Sequence, residues 1–170
     1  MNKKNIGYFI VILATVVGLA MLLNSNKKSA SSGAVLSSEK TTSSALVIAP
    51  SSFDFGTISM AKGKVAHTFT IKNTGTVPVI IKKIFTSCMC TTATLVTAKG
   101  KVGPFGMAGH MDIPKINKTV ALGEEVFIEA TFDPAAHGPA GTGKVHRVVY
   151  IETEGSNKAL ELSFEATVTQ

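Results

Sequence analysis

From Leu46 onward the apolar positions recur at every second residue. Val65, His67, Phe69 and Ile71 alternate with Ala66, Thr68, Thr70 and Lys72, and the run stops at Asn73-Thr74-Gly75. Val77–Phe85 is a β-branched run. Glu124–Asp133 sets Val126, Ile128, Ala130 and Phe132 against polar neighbours, and Lys144–Thr153 and Leu160–Val168 repeat the pattern. Val47–Ile48 and Phe53–Ile58 read as edge strands. Strand side chains point alternately to the two faces, so this period predicts half-buried strands. About seven short strands separated by turn residues predict an all-β, antiparallel sandwich over residues 46–170. No helical stretch is predicted after residue 23.

Ile6–Leu23 departs from this pattern. It is apolar on every side and carries no charge. As a helix it would be about 27 Å long, enough to cross a hydrocarbon core. Lys3 and Lys4 precede it, and Lys27 and Lys28 follow it. Residues 1–23 are therefore expected to be a single transmembrane anchor. A cleavable signal peptide, cut after Ala20, is the alternative. Residues 24–45, rich in Ser and Thr, lack the apolar surface to fold and are expected to be a flexible linker spanning about 25 Å. Either reading places residues 46–170 outside the cytoplasm, at the cell surface or in the periplasm.

Charge sharpens this picture. The formal net charge is +6, but residues 1–45 hold five Lys against one Glu, beside the membrane segment. The remainder is nearly balanced and has one Arg, Arg147. A nucleic-acid footprint needs a basic face, so no nucleic-acid partner is expected.

Cys88-Met89-Cys90 is the most informative local motif. On a flat strand residues i and i+2 lie about 6.6 Å apart with parallel Cβ vectors, too far for a disulfide. In a turn at a strand end, two thiolates could converge on one metal ion. Met107, His110, Met111 and His137 supply further soft ligands in Gly-rich segments. Thiolate, thioether and imidazole together suit Cu(I) best, then Zn(II). The expected candidate site is thus Cys88 and Cys90, completed by Met107, His110, Met111 or His137, with copper as the cofactor. Small buried thiols under loop methionines, or redox use of the pair, are the alternatives.

Other motifs are weaker. His67 and His146 are in phase with apolar strand positions and read as structural, His67 as a core-edge residue with a hydrogen-bond partner. Gly138–Lys144 resembles a phosphate-binding loop, but the hydroxyl residue is missing and a strand follows where a helix is needed. Glu124 and Glu125 face opposite ways on a strand and form no acid/base pair. No catalytic constellation is read, so an enzyme and a small-molecule substrate are not expected.

Phe53-Asp54-Phe55-Gly56-Thr57-Ile58, Val65-Ala66-His67-Thr68-Phe69, Lys72-Asn73-Thr74-Gly75, Ser87-Cys88-Met89-Cys90-Thr91 and Phe132-Asp133-Pro134 occur in that order. Over about residues 46–168 this resembles the bacterial family called domain of unknown function 1573. That family is similar to Ig-like domains of the ASPM/hydin and major-sperm-protein type. The resemblance implies an Ig-like sandwich on exported bacterial proteins and no established activity. Two departures stand out: Met89 where the family usually has Gly, and an insertion over about Thr97–Lys118. The expected function is a membrane-anchored, non-enzymatic module that binds an envelope protein, with the insertion as its binding loop. Deleting about Lys99–Pro114 is then expected to spare the fold. Soft-metal binding is the alternative function.

Overall fold

The computed structural model describes residues 45–110 and 112–170. The expected anchor over 1–23, the linker up to Ser44, and Met111 lie outside the described residues. The described residues form one compact unit with its own hydrophobic core. Among the described residues no helix is long and apolar enough to cross a membrane.

The unit is an all-β sandwich. Ten strands follow in chain order: β1 Leu46–Ile48, β2 Ser52–Ser59, β3 Val65–Asn73, β4 Val79–Thr86, β5 Thr91–Thr97, β6 Gly100–Phe105, β7 Lys118–Val120, β8 Glu125–Phe132, β9 Gly143–Thr153 and β10 Leu160–Thr169. One sheet has the order β1-β3-β8-β5-β6 and the other β2-β10-β9-β4-β7. The alternation seen in the sequence selects the inner faces. Phe69 and Ile71 of β3, Val126, Ile128, Ala130 and Phe132 of β8, and Leu162, Phe164 and Val168 of β10 are buried. Burying each larger side chain contributes roughly 1.5–3 kcal/mol.

Three expectations are corrected. There are ten strands where about seven were expected, because β5, β6 and β7 carry little apolar alternation. The sandwich is not wholly antiparallel: β2 runs parallel to β10, pairing Phe53 with Phe164 and Ile58 with Val168. These strands are far apart in the chain, so no tight turn forces them to be antiparallel. The Thr97–Lys118 insertion is only partly loop. Its first half folds back as β6, pairing with β5 from Thr97↔Gly100 to Ala93↔Phe105.

Edges are kept short or interrupted. β1 and β7 have three residues each, and β6 contains Gly103 and Pro104, which weaken it as a template for further pairing. Val47–Ile48 and Phe53–Ile58 do lie in the edge strands β1 and β2, as their patterns imply.

Candidate functional site

Two connections between the sheets meet at one end of the sandwich. β4 leaves one sheet and β5 enters the other through Ser87–Cys90. β8 leaves the second sheet and β9 enters the first through 133–142. The first crossover is a tight turn, closed by Thr91 N–H donating to Cys88 O at 3.1 Å. Buried Thr86 braces it from inside: its Oγ1 lies 3.0 Å from the carbonyl oxygens of both Cys88 and Thr91 and shares its one proton between them. Ser87 fastens the turn to β9, donating its N–H to Val148 O and accepting the Val148 N–H on Oγ, both at 2.9 Å. Asp133 N–H donates to Cys90 O at 2.9 Å and joins the two crossovers.

The turn brings the Cα atoms of Cys88 and Cys90 to 5.2 Å, and the two sulfurs are joined as a disulfide. The flat-strand geometry therefore does not apply, because the residues sit in the turn and not in β4 or β5. Cys90 is 3% exposed and belongs to the core. Cys88 is half-buried, and Met89 between them is 56% exposed.

Each sulfur has polar neighbours. Cys88 Sγ accepts the Cys90 N–H at 3.2 Å and lies 3.3 Å from His137 Nε2. Cys90 Sγ accepts from Arg147 Nε at 3.1 Å and lies 3.7 Å from Thr91 Oγ1. His137 is carried by the β8–β9 crossover. Asp133 opens this segment by accepting the Ala135 N–H on Oδ1 at 3.0 Å. Gly141 keeps it tight, since a Cβ there would come within 3.1 Å of His137 Cβ. Arg147 sits on β9 in phase with Val145, Val149 and Ile151, on the inner face. Its Nη1 donates to His146 O at 2.9 Å. Burial pushes its guanidinium pKa down, yet a guanidinium keeps its charge in a protein.

The expected ligand set divides. Cys88, Cys90 and His137 come together, their ligand atoms all within 4.8 Å of one another. His110 does not join that group; it is exposed, and its N–H closes a turn onto Met107 O at 3.2 Å. Met107 pairs through its backbone with Thr86, two residues before Cys88. Met111 lies outside the described residues. With the sulfurs bonded to each other, the pair offers a metal no thiolate, and no cofactor is established. Arg147, beside Cys90, was not among the expected site residues. The available signal was a lone Arg in phase with buried valines.

Gly138–Gly141 is one 3-10 turn followed by β9, so the phosphate-loop likeness has no helix behind it. His146 is exposed on the outer face of β9, opposite Glu165 of β10. Glu124 precedes β8 and caps a turn: the Ala121 N–H it accepts, and then Lys118 beside it, hold its carboxyl below the usual range.

The fold is similar to that of a protein of unknown function from Porphyromonas gingivalis W83. The TM-score is 0.51 and the identity 12%, over 72% of this chain and 46% of that one. This chain thus spans less than half the length of that structure. The ASH/PapD-like domain of human CEP192 is similar at a TM-score of 0.45 and 14% identity, over 74% of this chain and 85% of that one. The Vibrio cholerae VesB protease is similar at 0.47 and 12%, over 73% of this chain and 32% of that one. At these identities the likeness is one of fold alone. No curated protein matches the sequence. Residues 46–107 match the model of the family described as Protein of unknown function (DUF1573), the family whose motifs from Phe53 to Thr91 the sequence displays.

Proposed function

We propose that the chain is a membrane-tethered, extracytoplasmic Ig-like module that binds another protein of the cell envelope and is not an enzyme. One observation carries this reading. Val77 is 61% and Leu122 53% exposed, and both sit on turns tied together by Asn73. Asn73 Nδ2 donates to Val77 O at 2.9 Å, and Gly123 N–H donates to Asn73 O at 2.9 Å. Val47 of β1, opposite Lys72, is exposed as well. Exposed apolar side chains on loops that a rigid sandwich holds in place can serve recognition. The uncharged Ile6–Leu23 segment and the Ser/Thr-rich stretch after it support the tether and the location.

A photo-crosslinking residue at Val77 or Leu122, in cells making the whole chain, is expected to give a discrete protein adduct. The same residue at exposed Glu161 on β10 is expected to give none. Adducts to lipid alone, or the same adduct from all three sites, would count against a protein-binding tip.

A second reading, soft-metal binding, is favoured by the convergence of Cys88, Cys90 and His137. It applies to the reduced pair alone, since ligation needs thiolates. Reduced residues 42–170 are then expected to hold close to one Cu(I) per chain, and Cys88→Ser close to none. Equal copper in the two proteins rules this ligand set out.

A further inference from the structure

A disulfide between residues two apart is a poor staple. Cross-link stabilisation through the unfolded chain grows with the loop that is closed, and this one closes a sequence separation of only 2. The backbone already joins the same elements through Thr91, Ser87 and Asp133. Yet the sulfurs are well supplied with polar neighbours: the Cys90 N–H at Cys88, with the His137 ring a donor there when Nε2 carries its proton, and the Arg147 guanidinium and Thr91 hydroxyl at Cys90. A disulfide sulfur is a weak acceptor, whereas a thiolate gains strongly from such neighbours. The arrangement therefore favours the reduced, charged form. The sulfurs are also unequal, with Cys88 reachable beside Met89 and Cys90 buried against Arg147.

We infer that Cys88 and Cys90 are a redox-active pair that exchanges with an exported polypeptide bearing two thiols, Cys88 being the sulfur attacked and Cys90 the sulfur released. A thiolate of the partner attacks Cys88 Sγ. The Cys88–Cys90 bond breaks, a partner–Cys88 bond forms, and the electron pair leaves on Cys90 Sγ as a thiolate facing Arg147. The partner's second thiolate attacks its own sulfur in this mixed disulfide. A partner disulfide closes and Cys88 is released as a thiolate beside His137. The partner loses two electrons and the pair gains two. Of the two protons given up by the partner's thiols, one ends on Cys88 and the other passes to solvent, since Cys90 stays a thiolate facing Arg147. No other oxidant or reductant enters. This thiol exchange is stoichiometric, adds to the binding reading, rests on that reading's extracytoplasmic location for its exported partner, and stands or falls independently of the apolar tip.

The test uses residues 42–170 in glutathione redox buffers, with alkylation and intact-mass analysis. The wild-type pair is expected to open reversibly while the protein stays folded. Cys90→Ser is expected to collect a glutathione adduct on Cys88, and Cys88→Ser to leave Cys90 unreacted. Arg147→Met is expected to lower the ratio of dithiol to disulfide about tenfold, through loss of a charge-assisted hydrogen bond to Cys90. Arg147→Lys is expected to restore part of that ratio. Equal reactivity of the two single-cysteine variants, or an unchanged ratio in folded Arg147→Met, overturns the inference. So does a wild-type pair that stays oxidised until urea unfolds the protein, a result that requires no variant to fold.

Discussion

His67 of β3 stacks on Phe53 of β2, ring centroids 3.7 Å apart and nearly parallel, with Phe69 edge-on at 4.7 Å. Its period along β3 places it among inward-facing residues. What lies opposite comes from the other sheet, which no local pattern reveals. The expected hydrogen-bond partner is replaced by an aromatic one. Burial lowers the ring's pKa below its ordinary 6.5, because a charged imidazolium loses hydration there. The unfolded chain therefore takes up its proton first as the pH falls. Above about 6.5 both states are neutral and His67 gives no pH dependence. Below that value stability declines, until the folded ring also protonates. His67→Phe keeps a flat ring against Phe53 and removes the titration. Its urea midpoint is expected to fall less than that of the wild type between neutral pH and about pH 5. Parallel declines in the two proteins would assign the acid sensitivity to other groups.

Among the elements, those with a large apolar residue at every second position were legible, and the others were not. β3, β8, β9 and β10 showed their inner faces in the sequence because Phe, Ile, Leu and Val stand against Lys, Glu and Thr. β5 buries Thr91, Ala93 and Leu95 while Thr92, Thr94 and Val96 are half-buried. Two of the three inward residues are small or polar, so the alternation is present but invisible to hydropathy. β6 reads as loop because Gly100, Gly103 and Pro104 are turn residues elsewhere; an edge strand tolerates them. Its Phe105 is nevertheless buried in the core. A deletion of Lys99–Pro114 would thus remove a strand and a core side chain, not a free binding loop. Truncating a buried Phe alone costs about 3–5 kcal/mol. Of the candidate site, Cys88, Cys90 and His137 were legible as reactive residue types. Their convergence was not, because it depends on two crossovers brought together by long-range strand pairing.

For the whole molecule, the two sheets are tied at both ends by polar side chains that cross between them. At one end Arg147 of β9 reaches Cys90 at the entrance to β5. At the other, Asn73 closes β3 and is fully buried. Its Nδ2 donates to Val120 O of β7 in the opposite sheet at 3.0 Å, and to Val77 O at 2.9 Å. Its Oδ1 accepts the Gly75 N–H at 3.0 Å. The sequence shows this residue only as the break after a strand, whereas its side chain completes the hydrogen bonding of two turns. Asn73→Ala removes three hydrogen bonds of a buried side chain, at a cost of roughly 2–4 kcal/mol. Asn73→Asp sets a carboxylate against the same carbonyls and is expected to cost at least as much. The ends are about 26 Å apart along the strands, and Asn73 touches nothing at the cysteine turn. Asn73→Ala is therefore expected to lower the urea midpoint while the native protein keeps the wild-type rate of opening of the Cys88–Cys90 pair by glutathione. A variant with the wild-type midpoint would remove Asn73 as the tie between the sheets. A faster opening rate in the still-folded variant would show that the two ends yield together, as one cooperative unit, before global unfolding.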